Sequence, residues 1–352
     1  MVELRPTGMP ILDVSVFRDG SEVQRRAQVE RLRDSLTRFN FFAFRDGELS
    51  LDLAHEVDDL SRTLFALREA QKLAYQRPSK AGYMRYGVEQ ALRGTRPDLK
   101  EMWHAGRDLA PSHALRARFP QSFFDNVWPT EVPALEAKAQ ALYGQLSRSA
   151  ETLLELLAAL IPIPARQLTD IVVDAPHSFR MIHYPPLPER VAKGEERAVA
   201  HTGAGLFGIL PPASDEGLEV IDRKGVWQHL VGFDDCSVVT LADLIELLTG
   251  DRIPASLHRV VNPTGDGVRK SRYAMVFFVH ARPDTPLSLP NLSQPFGVSE
   301  LHGRTAVDFV RNRMTSVWLN EASVPYRLFW RAKQTLMRWR GDALTSKDRL
   351  DR

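Results

Sequence analysis

The sequence contains a single cysteine and no long apolar run. Cys236 has no second cysteine with which to form an intramolecular disulfide, a cysteine zinc cluster or a CxxC redox pair, so we expect it to be a small buried residue. No apolar run approaches the ~20 residues of a membrane span, and the opening MVELRPTGMPILDV lacks the apolar core of a signal peptide. These absences predict a cytoplasmic protein with no membrane partner.

The chain also lacks an excess of charge of either sign. Its 46 basic residues are nearly balanced by 44 acidic residues, which argues against a nucleic-acid polymer as partner and leaves a small molecule as the expected ligand. With 352 residues, 43% of them hydrophobic, the chain is long enough to bury a full core. No internal repeat or low-complexity tract divides it, so we expect one domain over 1–352.

The first half of the chain is typical of amphipathic helices. We expect 1–170 to be mainly helical, with a weakly periodic, aromatic stretch at 78–120 that forms either a surface excursion or one wall of a pocket. Apolar spacing and terminal signals predict an opening strand over 9–14, helices over 22–38, 51–75 and 133–160, a buried strand over 39–44, and a C-terminal helical extension over 285–352 whose helix covers about 305–340.

Residues 171–284 have a different pattern, with short β-rich runs separated by turns. Many short strands at regular spacing favour a sandwich or barrel over a parallel sheet. We therefore predict an all-β core with helical additions, a jelly roll (double-stranded β-helix, cupin-like) flanked by N- and C-terminal α-helices. The expected strands cover 179–184, 198–201, 218–221, 227–231, 237–241, 258–261 and 273–279.

One motif in this region imitates a dinucleotide fingerprint. The stretch from Gly203 to Gly208 spells GxGxxG after a strand, and Asp222 follows 19 residues after Gly203. Only nine residues separate Gly208 from Leu218, and two of them are prolines, so no crossover helix fits between the strands. We exclude a Rossmann site and assign the glycines to a turn or to close approach of the backbone to a ligand.

Two histidines at strand ends are candidate metal ligands. His201 and His258 lie 57 positions apart (258 minus 201), and Arg272 follows near the start of the next strand. A barrel can direct all three side chains inward, and an arginine can bind a carboxylate through two hydrogen bonds. Spacing alone leaves open that each histidine is an ordinary hydrogen-bonded residue.

The order of motifs resembles that of the isopenicillin N synthase-like iron(II)/2-oxoglutarate oxygenases over about residues 9–284. The matching elements are Asn40-Phe41-Phe42, Gly82-Tyr83, Lys100-Glu101, Asn126-Val127-Trp128-Pro129, Arg180-x-x-x-Tyr184-Pro185-Pro186, His201-Thr202, Gly217-Leu218-Glu219-Val220, Trp227, Ala242-Asp243-Leu244, Leu248-Thr249-Gly250, His258-Arg259-Val260 and Arg272-Tyr273.

The resemblance implies a set of cofactors and ligands. His201 and His258 are expected to bind Fe(II), while Arg272 and Tyr184 are expected to hold the distal carboxylate of 2-oxoglutarate, with O₂ as oxidant. Three positions depart from the family pattern: the asparagine two residues before the tyrosine is Ile182, the serine of Arg-x-Ser is Ala274, and the aspartate of His-x-Asp is Gly203.

Glycine at position 203 bears most directly on the chemistry. A facial iron site normally takes two histidines and one carboxylate, and glycine leaves the third position to water, to a carboxylate from elsewhere or to a halide. In this one residue the sequence resembles the iron/2-oxoglutarate halogenases, which implies chloride as an iron ligand and carbon–chlorine bond formation, with succinate and CO₂ as co-products. The alternatives are a hydroxylase or desaturase, and an oxygenase that has lost catalysis and serves as a binding protein.

Five residues of the 78–120 stretch are candidates for substrate contacts: Tyr83, Arg85, Lys100, Trp103 and His104. Their aromatic faces and cations suit a flat anion, and a purine deoxynucleotide is the leading hypothesis. An alkaloid, a free amino acid and a carrier-bound acyl group stay open. The same residues also fit a solvated loop with buried aromatics.

Overall fold

The computed structural model describes residues 8–89, 96–191, 195–288 and 303–318. No helix within these ranges is both long and apolar enough to cross a membrane. The helices are α1 (Val14–Asp19), α2 (Glu22–Arg38), α3 (Leu51–Phe65), α4 (Glu69–Leu73), α5 (Ala114–Arg118), α6 (Ala134–Ala158), α7 (Arg166–Thr169), α8 (Asp243–Leu248) and α9 (Ala306–Trp318). The strands are β1 (Ile11–Asp13), β2 (Phe42–Arg45), β3 (Gly82–Met84), β4 (Glu101–Gly106), β5 (Ser178–Tyr184), β6 (Ala198–His201), β7 (Phe207–Leu210), β8 (Leu218–Ile221), β9 (Trp227–His229), β10 (Ser237–Leu241), β11 (His258–Val260) and β12 (Arg272–Val279).

The strands form two sheets whose facing sides enclose an interior. The larger sheet has the order β1-β2-β10-β7-β12-β5-β4-β3, and the smaller has the order β6-β11-β8-β9. Apolar side chains from both sheets meet in one buried cluster, which includes Ile182 and Val238 from the larger sheet and Val220 and Val260 from the smaller. This arrangement confirms the predicted jelly-roll core with added helices.

Alternation along β12 separates two environments. Met275, Phe277 and Val279 belong to the cluster that packs under the helices, whereas Ala274 belongs to the interior cluster. Successive side chains of a strand point to opposite faces, so Arg272 shares the interior side with Ala274. The helix-facing cluster is completed by leucines of α6, namely Leu135, Leu142, Leu146, Leu153 and Leu157.

Local signals placed several elements correctly. The helix predicted over 22–38 is α2, whose N-cap Ser21 forms a capping box with Gln24, and Cys236 is buried as expected. The helix predicted over 51–75 divides into α3 and α4. Within 78–120 the chain adds β3 and β4 to the larger sheet, strands that went unpredicted because β4 is buried on both faces and shows no apolar–polar alternation. Of the closing helix predicted over 305–340, residues 319–340 lie outside the described ranges.

A buried histidine just before β5, His177, makes stability depend on pH. The Nδ1 of His177 accepts a hydrogen bond from the His280 backbone N at 3.1 Å, and burial lowers the pKa of His177 well below its ordinary value. The unfolded chain therefore binds a proton that the folded chain excludes, so stability falls as pH drops below about 6.5, by about 1.4 kcal/mol per pH unit.

We expect His177→Asn to reduce the pH dependence of the free energy of unfolding by an amount that corresponds to about one bound proton. An amide oxygen can accept the same hydrogen bond without titrating. Urea unfolding at pH 7 and pH 5.5 measures, for the wild type and for the variant, the slope of the free energy of unfolding against pH. Equal slopes would show that His177 does not titrate on unfolding.

Candidate functional site

Strand pairing places the two candidate metal ligands side by side. His201 ends β6, His258 begins β11, and the two are register partners in the smaller sheet. Their ring centroids lie 4.5 Å apart. The structure therefore brings together two histidines that lie 57 positions apart in the sequence.

Each imidazole is oriented by a hydrogen bond to the backbone two residues earlier. Nδ1 of His201 lies 2.7 Å from the Val199 carbonyl oxygen, and Nδ1 of His258 lies 2.9 Å from that of Ser256. A carbonyl oxygen only accepts, so Nδ1 carries the proton and Nε2 keeps its lone pair, which is the usual arrangement of a metal-binding histidine.

Electrostatics keep both rings neutral. Burial lowers the pKa of His201 to about 4, and the positive charge of Lys100 acts in the same direction. Burial and the neighbouring His201 lower the pKa of His258 to about 3. Neutral imidazoles with a free Nε2 fit a divalent transition metal such as Fe(II).

No carboxylate completes the pair. Gly203 stands two residues after His201, and the described residues contain no group of three or more His, Cys, Asp or Glu side chains arranged to hold a metal. The charge of Asp243 acts on His258, but its Oδ2 accepts hydrogen bonds from Thr202 Oγ1 and Arg313 Nε, each at 3.0 Å. The residues present therefore fit a metal held by two protein ligands.

The space beside Gly203 is narrowed by one methyl group. A Cβ built on Gly203 would lie 3.2 Å from the Cβ of Ala242, closer than carbon atoms normally pack. The backbone N of Asp243, which follows Ala242, donates to the Gly203 carbonyl at 2.9 Å. This hydrogen bond holds Ala242 close to Gly203. A side chain at position 203 would require Ala242 to move.

Arg272 and Tyr184, the two residues expected to hold an anion, lie next to each other. They are register partners in the larger sheet, both are buried, and the Arg272 guanidinium lies 5.2 Å from the centre of the Tyr184 ring. Arg272 Nε donates to the carbonyls of Asp215 and Glu216 at 3.0 and 2.9 Å, which orients the guanidinium. Among the described residues no acidic side chain forms an ion pair with Arg272, so its Nη groups suit a carboxylate of a ligand.

The structure corrects two of the expected substrate contacts. Tyr83 and Trp103 belong to the helix-facing cluster, where the Tyr83 hydroxyl meets Glu101 and Trp103 Nε1 donates to the Val127 carbonyl. Alternation along β4 turns the side chain of Trp103 away from the interior. Neither residue is therefore placed to contact a substrate there.

The other three expected contacts differ in their surroundings. Arg85 is exposed beyond the end of β3. His104 lies on the opposite face of β4 from Trp103 and meets Phe124 edge to face, with ring centroids 5.1 Å apart. Lys100, just before β4, is buried and acts electrostatically on both His201 and His258.

Sequence reasoning missed the carboxylates that surround Lys100. Its Nζ lies 2.9 Å from Glu89 Oε2 and 2.8 Å from Asp98 Oδ2, and Glu89 also pairs with Arg180 at 2.9 Å. Burial alone would raise the pKa of Glu89, but Arg180 and Lys100 outweigh it and lower that pKa. No spacing rule indicated this network, since Glu89 and Arg180 lie 91 positions apart.

Comparison with known families gives two matches along the chain. A model of the non-haem dioxygenase N-terminal region in morphine synthesis matches residues 9–131, and a model of the 2OG-Fe(II) oxygenase superfamily matches residues 175–281. The second match contains His201, His258 and Arg272.

Individual proteins are similar over most of their length. A 2-oxoglutarate-dependent dioxygenase of Didymella fabae is 30% identical over 286 residues, which cover 77% of this chain and 85% of that protein. A 2-oxoglutarate-Fe(II) type oxidoreductase of Emericella nidulans is 27% identical over 317 residues, covering 88% and 90%.

Solved structures agree with this similarity. A 2OG-Fe(II) oxygenase family protein from Caulobacter crescentus superposes with a TM-score of 0.74 at 29% identity, covering 89% of this chain and 100% of that one. Neurospora crassa T7H in complex with alpha-KG and thymine superposes with a TM-score of 0.72 at 21% identity, covering 88% and 97%.

Proposed function

Because the chain belongs to the 2OG-Fe(II) oxygenase superfamily, we propose that this iron- and 2-oxoglutarate-dependent oxidoreductase halogenates a C–H carbon of a small molecule. The observation that carries the proposal is Gly203, which removes the carboxylate from a site that otherwise keeps both histidines and the arginine. Hydroxylation of the same carbon is the second candidate, and the relatives favour it, since those described above are dioxygenases and oxidoreductases.

Each residue of the site has a definite part in either reaction. His201 and His258 would hold the metal through Nε2, and Arg272 with Tyr184 would hold the distal carboxylate of 2-oxoglutarate. Iron, when bound, would activate O₂ as the oxidant that breaks the C–H bond, and 2-oxoglutarate would supply two of the electrons that reduce O₂. For chlorination the substrate, chloride, a proton, 2-oxoglutarate and O₂ give the chlorinated product, succinate, CO₂ and water.

The absence of a side chain at Gly203 supports an anion as the third ligand. The two cations whose charges act on His201 are already paired, Lys100 with Glu89 and Asp98 and Arg313 with Asp243, so the attraction for an anion would come from the metal. Anions are attracted to a metal bound by two neutral imidazoles, because such ligands leave the full charge of the metal uncompensated. Chloride is an abundant monatomic anion, and glycine brings no side chain to position 203 that would compete with it for the metal.

We expect chloride to bind at the site in the absence of substrate, so chloride binding can be tested without knowing the substrate. Anaerobic addition of 2-oxoglutarate to the iron-loaded protein should give a visible charge-transfer band, and sodium chloride should shift this band saturably. Sodium sulfate at equal ionic strength is the control. A band that responds equally to both salts would contradict a bound chloride.

The product then separates the two candidate reactions. Turnover in chloride buffer under ¹⁸O₂ should give a chlorinated product free of ¹⁸O, whereas a hydroxylase gives an ¹⁸O-labelled alcohol, which would overturn the halogenase proposal.

The substrate panel should include a purine deoxynucleotide and its nucleoside, because equal turnover of the two would remove the phosphate from the substrate hypothesis. Lys100 already contacts two carboxylates, so a phosphate would have to compete with both.

A further inference from the structure

A second buried arginine lies beside the expected 2-oxoglutarate site. Arg197 immediately precedes β6 and is only 2% exposed. Its guanidinium carbon lies 5.9 Å from the centre of the Tyr184 ring, and that of Arg272 lies 5.2 Å from the same ring. Two buried guanidinium groups therefore adjoin one tyrosine.

The neighbours of Arg197 orient it without neutralising it. The side chain donates from Nη2 to the Lys270 carbonyl at 2.9 Å, and its backbone N donates to Asn262 Oδ1 at 3.0 Å. Its Nε is buried without a hydrogen-bond partner, and within the described ranges no acidic side chain forms an ion pair with it. The Lys270 carbonyl accepts one hydrogen bond from Arg197 but does not neutralise the positive charge of the guanidinium group.

Such an arrangement is costly without an anion. A buried charge needs a counter-charge, and the two guanidinium groups beside the Tyr184 ring carry like charges that repel each other. Arg272 has no ion pair within the same ranges either, and the carboxylate whose charge acts on both arginines is that of exposed Asp215. A ligand carboxylate between the guanidinium groups would relieve the repulsion and supply the missing hydrogen-bond acceptors.

We propose that Arg197 is a second, direct ligand of the distal carboxylate of 2-oxoglutarate and acts together with Arg272. Arg197 would supply the hydrogen bond that the methyl group of Ala274 cannot supply. This inference depends on the use of 2-oxoglutarate but not on halogenation, so an oxygenase that never binds chloride would still show it.

Binding of co-substrate analogues tests the proposal. We expect Arg197→Gln to weaken anaerobic binding of 2-oxoglutarate to the iron-loaded protein by about 10- to 100-fold, the range of a charge-assisted hydrogen bond to a carboxylate. Binding of 2-oxopentanoate, which has the same chain length but lacks the distal carboxylate, should not change. A role limited to holding the Lys270 carbonyl would weaken both ligands equally, and that result would overturn the proposal.

Matched variants keep the test decisive. Arg223 is an exposed arginine whose Nε also donates to a backbone oxygen, the Leu36 carbonyl at 3.0 Å, so Arg223→Gln should leave 2-oxoglutarate binding unchanged. Adding Ala274→Ser to Arg197→Gln should recover part of the lost affinity by restoring a hydroxyl donor. If Arg197→Gln does not fold, Arg197→Lys keeps the charge and should lower affinity by a smaller factor. Affinity within twofold of wild type in the folded Arg197 variant would overturn the proposal.

Discussion

Replacing His258 with alanine is expected to abolish iron binding and all turnover. With Gly203 in place of a carboxylate, the proposed metal site has two protein ligands, and the substitution removes one of them. We expect affinity for Fe(II) to fall by more than about 100-fold, because loss of even an outer-shell partner of a metal ligand costs about 10- to 100-fold. His201→Ala should have the same effect, since the two rings occupy equivalent positions 4.5 Å apart.

Anaerobic iron titration, with iron content after gel filtration as a second readout, measures this effect. His229→Ala is the control, since His229 lies on β9 of the same sheet, has a side chain that is 42% exposed and pairs with Glu216 and Glu219. The control should bind iron like the wild type. If His258→Ala retained affinity within threefold, the metal would have to lie elsewhere.

Restoring a carboxylate at position 203 is expected to eliminate the response to chloride. In Gly203→Asp alone, the new Cβ would lie 3.2 Å from the Ala242 methyl group, so Ala242 must shift by a few tenths of an ångström to admit the side chain. We expect this variant to lose the chloride response and to bind iron no more tightly than the wild type.

Removing the methyl group of Ala242 should make room for an aspartate at position 203 and so complete the proposed metal site with a third protein ligand. The double variant Gly203→Asp/Ala242→Gly has room for the side chain and a third ligand, so we expect iron to bind at least about 10-fold more tightly than in Gly203→Asp. Ala242→Gly alone should retain the chloride response of the wild type. A chloride response that survived in the double variant would place the halide away from Gly203.

The sequence could supply candidate site residues where motifs keep their order along the chain. Motif order gave His201, His258, Arg272 and Tyr184 as candidates. Strand pairing in the structure brings the two histidines together and places Arg272 beside Tyr184, and their roles stay predictions. The apolar spacing of α2 predicted its bounds, 22–38, and the structure adds the capping box that begins it.

What failed was the assignment of strand faces. Tyr83 and Trp103 were expected to contact substrate, but β4 carries a polar side chain on each of its two faces, Glu101 on one and His104 on the other. Polarity therefore does not show which face is interior, and an error of one position reverses every side chain. Arg197 was missed for a different reason. Its partner, the Lys270 carbonyl, lies 73 positions away, and such a contact is created only by the fold.

The bond between α9 and the histidine strand has a consequence for how the site is built. Arg313 of α9 donates to the Thr202 carbonyl, 111 positions earlier, and to the buried carboxylate of Asp243. If this helix detached, a negative charge would stay buried next to the residue that follows His201, and water would have to enter to solvate it. Local opening of the chain near its C-terminal end and loosening of the metal-binding strand should therefore be one cooperative event rather than two.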